Sequence, residues 1–259
     1  MNKETESKQG NYDLIRPFGE TLLLSDYEDA LTDYAELPLD QISKMVFSEA
    51  PDAFLELPII KGAVAIGRLA WSIKSALVMR NQLSFIQSLR KNNPNVQAVE
   101  KRRKALENGE KWVIKEIEIT LIYLERYADS YKTKYHARLY RDLLDEKITY
   151  EEYEEYLTII ESISISDISY FLDLLDYCVK NHKQEFRHQD LIDDSDLKFN
   201  HVRCRRLEFW GLINGIITTR MGTSYTDRYV MNDRGLYLYT VFHDENDKKH
   251  ISFRIEPER

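Results

Sequence analysis

The sequence predicts a mainly α protein, a multi-helix body followed by a small α+β domain. Between residues 59 and 180, apolar side chains recur at helical spacing with little interruption, and the whole 259-residue chain holds only 9 Gly and 6 Pro. Beyond residue 180 the pattern shortens into small segments, two of them β-like on either side of a Gly-containing turn. Charged residues make up 31%, but they are interleaved with a hydrophobic content of 43%. That mixture excludes a wholly disordered chain and supplies a sizeable core.

The elements follow in order. Residues 1–12 are a polar tail, and the helical body is expected over 13–165. Its first part is acidic and broken by Pro17, Pro38, Pro51 and Pro58, which suits short helices such as 26–37. Residues 59–89 contain no Pro and read as one long helix or a tight helical pair, stopped by Asn92-Asn93-Pro94-Asn95. Helices are expected over 96–109, 112–130 and 132–145, the last with Tyr135, Leu139, Leu143 and Leu144 on one stripe. Thr149 with Glu152 three residues on has the form of a capping box, and Ser166-Asp167 opens a further helix. The α+β domain, 166–245, continues with helices over 188–194 and 197–210, β-like segments over 215–220 and 228–232, and a closing helix over 234–242. A polar extension, 246–259, ends the chain.

Charge divides along the same line. Residues 178–259 hold 14 Lys/Arg and 13 Asp/Glu, net +1, and the remainder is net −9 within a whole-chain −8. The acidic body is thus a poor nucleic-acid binder, and the C-terminal domain binds one only through a local patch. Two cysteines, Cys178 and Cys204, give neither a disulfide framework nor a metal knuckle, so a reducing cytoplasm is expected. The start of the chain has no apolar leader segment. The six histidines show no zinc-ligand spacing, and no phosphate-cradling glycine loop or nucleophile elbow is present. A calcium loop ending at Glu152 would need glycine where Glu146 stands. No catalytic residue, cofactor, metal ligand or small-molecule substrate is expected.

The helix over 59–89 has the length of a membrane span but carries Lys61, Arg68 and Lys74 at intervals of seven and six. Three such cations would cost roughly 2.5–3.5 kcal/mol each near a bilayer centre, which argues against a simple span. Two readings stay open. The basic stripe with Trp71 at mid-length suits a helix lying on an anionic membrane or on a partner. It equally suits a central core helix whose cations reach solvent or the body's own acids.

The segment Leu207-Glu208-Phe209-Trp210-Gly211-Leu212-Ile213, followed by a hairpin and Tyr229-Val230-Met231-Asn232-Asp233-Arg234-Gly235, resembles the winged-helix family over about 80 residues. Asn232 stands where that family usually caps with Thr. The resemblance implies a recognition helix whose DNA-facing residues would be Lys198, Asn200, His201, Arg203, Arg205 and Arg206, joined by Arg220 and Arg228 of the wing. The Arg and Lys side chains would hold phosphates and Asn200 would read a base edge. Cys204, Leu207 and Trp210 would turn inward. Winged helices also serve as protein-contact modules.

Over roughly 55–180 the order of features is similar to TerB-like, abortive-infection-like bacterial proteins. The run Leu57-Pro58-Ile59-Ile60-Lys61-Gly62, the stretch from Arg80 to Leu89, and Lys147-Ile148-Thr149-Tyr150-Glu151-Glu152-Tyr153 carry the similarity. It implies an association with phage defence. It does not bring the metal site of true TerB proteins, whose acidic pattern is not recognisable here. The combined expectation is a non-enzymatic interaction protein that meets a protein partner, a second copy or a membrane surface through Lys61, Arg68, Trp71 and Lys74. The alternative is a DNA-binding transcriptional regulator.

Overall fold

The computed structural model describes residues 15–23, 57–61, 73–91, 94–181, 183, 185–187, 200–220 and 223–243. The chain divides into two compact units, 1–161 and 162–259. The expected tail over 1–12, the helices over 26–37 and 188–194, and the extension over 246–259 lie outside the described residues.

The first unit is helical. It comprises α1 (15–23), a helical turn at 58–61, α2 (Ile73–Lys91), α3 (Val96–Glu107), α4 (Lys111–Arg126), α5 (Lys132–Leu144) and α6 (Tyr150–Ser162). Of the expected long helix, 58–61 and 73–91 are helical, and 62–72 lie outside the described residues. Asn95 both ends that region and caps α3, its side chain accepting from the backbone N–H groups of Gln97 and Ala98. Thr149 and Glu152 form the reciprocal capping box: the Thr149 N–H donates to Glu152 Oε2 at 2.8 Å, and the Glu152 N–H to Thr149 Oγ1 at 3.2 Å. Helix α4 stops at Arg126, short of the expected 130. The Asn81 amide, from α2, donates at 2.9 Å to the carbonyls of both Leu124 and Tyr127 and so satisfies the helix end from outside. A tertiary contact of that kind leaves no local signature.

Helix α2 packs against α5 and α4, and α3 against α4. Leu83, Phe85, Ile86, Ile117, Leu124, Leu139, Leu157 and Ile160 are all buried, as is the predicted stripe Tyr135, Leu139, Leu143 and Leu144. This core also contains polar groups that satisfy one another. His136 lies between Tyr153, its Nε2 2.7 Å from the hydroxyl, and Tyr127, its Nδ1 3.3 Å from that hydroxyl. The Tyr153 hydroxyl also meets Thr120 Oγ1 at 2.8 Å. Glu116 Oε1 accepts from Arg102 Nε at 2.7 Å and from the Tyr140 hydroxyl at 2.6 Å. Burying such groups is tolerable because each finds a partner.

The second unit begins with α7 (Ile165–Lys180). Its N-cap is Ser164, two residues before the expected start, and the Ser164 hydroxyl accepts from the Asp167 N–H. Next come β1 (Glu185–Arg187), α8 (His201–Phe209), the hairpin β2 (Ile213–Arg220) and β3 (Thr223–Met231), and α9 (Asp233–Phe242). The three strands form an antiparallel sheet in the order β1-β3-β2. Pairing of Phe186 with Tyr229 and of Ile213 with Met231 fixes its register. Helix, strand, helix, hairpin, with the first strand beside the last, is a winged-helix-like arrangement. Strand β1 is too short to show alternation and was not expected. Helix α8, at 9 residues, lies within the expected 197–210; α7 has 16 and α9 has 10. Asn200 takes the N-cap with extended backbone, which sets where α8 begins.

Candidate interaction surface of the second unit

Glycines on either side of the hairpin hold α8 in place. At its C-terminus Gly211 adopts φ +67. The Leu212 N–H donates to the Leu207 carbonyl and the Gly211 N–H to the Glu208 carbonyl, both at 2.9 Å, the paired bonds of a Schellman turn. A Cβ built on Gly235 would stand 2.0 Å from the Leu212 carbonyl oxygen, so α9 can approach this turn only with glycine there. Asn232 caps α9 through the Gly235 N–H at 2.8 Å and donates to the Gly211 carbonyl at 3.0 Å. These contacts account for the Leu207-to-Ile213 and Gly235 pattern seen in the sequence.

The inner face of α8 is as expected at Cys204 and Leu207, both buried. Burial pushes the Cys204 thiol up to about 11. The Tyr170 hydroxyl lies 3.6 Å from Cys204 Sγ and accepts from the Asn200 N–H at 3.1 Å. Trp210 departs from expectation. It is the C-cap residue, where helical periodicity no longer sets direction, and it lies half-buried with its ring edge-on to Phe209 at 4.9 Å. Leu212, one step beyond the turn, is buried instead.

The described arginines among the predicted contact residues are committed to acceptors within the unit. Arg206 Nη2 donates to Asp167 Oδ1 at 2.7 Å. Arg203 donates to the Ser166 carbonyl at 2.9 Å, lies 4.0 Å from the same carboxylate and sits over the Tyr170 ring. These partners belong to α7, and Arg206 stays exposed while paired. Arg205 pairs with Glu208 at 2.9 Å, and Arg228 with Glu185 across β3 and β1 at 3.1 Å. Asn200 Oδ1 accepts the Arg203 N–H at 3.1 Å as the helix cap, so that oxygen is spent on α8 itself. His201 is exposed, with Nδ1 3.4 Å from the Tyr229 hydroxyl. Lys198 lies outside the described residues, and for Arg220 the backbone alone is described.

What α8 turns outward is apolar as well as basic. Val202 is 64% exposed and Phe209 78% exposed, with Arg205 and Arg206 between them at the spacing of one helix face. Ile217 on β2, beside the irregular pairing at Ile216/Ile217, is 66% exposed. Sequence reasoning missed two anchoring acids, Asp167 and Glu185. The Ser164-x-x-Asp167 spacing was the available signal for the first, while β1 left no signal for the second.

Of the other predicted contact residues, Lys61 is exposed beside the buried Ile59 and Ile60. Arg68 and Trp71 lie outside the described residues, and for Lys74 the backbone alone is described. The described part of α2 buries Ala76, Met79, Leu83, Ile86 and Leu89, the behaviour of a core helix. Among the described residues no helix is long and apolar enough to cross a membrane. Among them, too, no group of three or more His, Cys, Asp or Glu is placed to hold a metal ion. No family model, curated protein or solved structure matches the chain.

Proposed function

We propose that the protein works through a protein partner, which the winged-helix-like unit engages with the outer face of α8. The observation that carries this is the exposure of Phe209 and Val202 on a helix whose arginines are already tied to carboxylates. Exposed large apolar side chains flanked by Arg are the composition of an interface core. A second copy pairing α8 with α8 about a two-fold axis is disfavoured, because antiparallel helices would set Arg205 and Arg206 against their own copies. The partner this face fits is an apolar groove with a carboxylate rim, taking Phe209 and Val202 inside and Arg205 and Arg206 at the edge.

A random-peptide selection on the full chain tests this. Enriched peptides should combine large apolar residues with Asp or Glu and lose binding to Phe209→Ala. That loss should be about 2 kcal/mol, as for a central interface aromatic. Peptides that bind Phe209→Ala and Arg205→Glu unchanged would remove the assignment. The second reading, a DNA-binding regulator, draws on the exposure of Arg205 and Arg206. It would take precedence if duplex DNA were retained at low salt and released by Arg205→Ala with Arg206→Ala.

A further inference from the structure

The first unit holds a cleft of about 460 Å³, within the usual size of small-ligand sites. Its walls come from the C-terminal half of α3, the first turns of α4, the end of α5 and the start of α6. Arg102 reaches it from α3, Trp112, Lys115 and Glu116 from α4, and Tyr150 from α6.

The donors here are unevenly spent. Arg102 is buried and fixed: Nε is held by Glu116 at 2.7 Å, and the guanidinium lies 5.7 Å from the centre of the Trp112 ring. The guanidinium also meets the buried Tyr140 hydroxyl, and among the described residues Glu116 is its one ion-pair partner, which leaves the end-on edge of the group without a second carboxylate. Lys115 is exposed, sits 4.7 Å over the Tyr150 ring and has no carboxylate partner among the described residues. Lys147, by contrast, is already paired to Asp142 and Asp145. Helix α4 starts at this cleft without a side-chain cap, which adds the positive end of its dipole. Trp112 is 41% exposed, and its indole N–H, bonded to Glu110 at 2.6 Å, orients the ring.

Acceptors present the opposite picture. Glu116 is engaged by Arg102 and Tyr140, and Glu152 closes the α6 capping box. The capacity left in the cleft is the Lys115 ammonium and the outer edge of Arg102, with the Tyr150 hydroxyl and the exposed Glu146 carboxylate, which lies 4.0 Å from Lys101, beside an aromatic surface. Three glutamates, Glu116, Glu146 and Glu152, also line the cleft and repel a dianion more than a monoanion.

We propose that this cleft binds a small aromatic carboxylate, its carboxylate on the outer edge of Arg102 and on Lys115 and its ring against Trp112. The site lies in the first unit and is independent of the α8 face. It adds a small-molecule ligand that the sequence motifs did not suggest.

The test uses the full chain with Trp71→Phe and Trp210→Phe, leaving Trp112 as the sole tryptophan reporter. Phenylacetate should change its fluorescence saturably, phenylacetamide should not, and phenyl phosphate should bind more weakly than phenylacetate. Lys115→Met breaks no ion pair among the described residues. It should weaken phenylacetate binding about tenfold while leaving the melting temperature unchanged. Arg102→Lys should weaken binding as well, but it also disturbs Glu116, so Lys115→Met is the deciding variant. Equal responses to acid and amide, no saturable response to phenylacetate, or unchanged affinity in Lys115→Met would overturn the site. Tighter binding of phenyl phosphate would overturn the carboxylate assignment.

Discussion

His136 is buried on every side, with Tyr127 and Tyr153 on its two ring nitrogens, and burial lowers its pKa to about 3. The same burial drives both tyrosines well above their ordinary value, so the trio stays uncharged at neutral pH. In the unfolded chain the imidazole titrates near 6.5. Between pH 6.5 and 3 the unfolded state binds a proton that the folded state refuses. The stability from keeping His136 neutral is therefore present above pH 6.5 and lost as pH falls toward 3. Denaturant unfolding of the wild type between pH 6.5 and 5 should show one proton's slope, up to about 1.4 kcal/mol per pH unit, and His136→Gln should abolish it. Equal slopes in the two proteins would contradict the buried neutral state. A second residue carries local strain. Glu146 has φ 57 at the C′ position of α5, where Lys147 N–H meets the Asp142 carbonyl and Glu146 N–H the Leu143 carbonyl. The equivalent turns after α3 and α8 use Gly109 and Gly211. Glu146→Gly should therefore raise stability by about 1 kcal/mol in a chemical melt, and a loss would show that the glutamate side chain contributes more than its backbone costs.

Among the elements, those whose signals are local were legible in the sequence. Thr149 and Glu152 announce α6, Asn95 announces α3, and Asn232 with Gly235 announces α9; each is a short-range hydrogen bond or a steric limit. What stayed hidden depends on distant partners. Helix α4 ends where Asn81 reaches its carbonyls, β1 exists through pairing with β3, and the arginines of α8 are read correctly only once Asp167 is beside them. The cleft was hidden for the same reason, since it gathers residues from four helices that no spacing rule connects. The strictest element-level expectation concerns Gly235. Adding one methyl would drive it into the Leu212 carbonyl, a backbone atom that cannot swing aside. Gly235→Ala should cost about 3 kcal/mol or more, at the upper end of overpacking penalties, and should abolish the ordered signals of the hairpin in an amide spectrum. A native spectrum with unchanged stability would show that α9 can shift to admit the methyl.

On the scale of the whole molecule, charge bears on the two readings of the second unit. The chain carries −8 overall, with −9 outside residues 178–259, so any polyanion approaches against a repulsive field. That field is offset only by cations free to meet phosphates. On the described face of α8 these are Arg205 and Arg206, and each already has an internal carboxylate. Two or three phosphate contacts give a log–log salt slope of about −2 to −3, against −5 or steeper for proteins that make six or more. The full chain should therefore retain no duplex DNA at about 0.15 M salt and little at lower salt. Asp167→Asn provides the converse. By removing the carboxylate shared by Arg203 and Arg206, it should release both guanidiniums, produce weak binding at low salt that is indifferent to sequence, and steepen the slope by about one to two units. It should also destabilise the second unit, because Asp167 is buried, accepts from Arg206 at 2.7 Å and accepts the Ser164 hydroxyl at 2.8 Å. A gel-shift salt series on both proteins, with circular dichroism to verify folding, measures each part. Wild-type retention at 0.15 M with a slope steeper than about −5 would mean that residues outside the described face supply the phosphate contacts, and the regulator reading would then replace the protein-partner one.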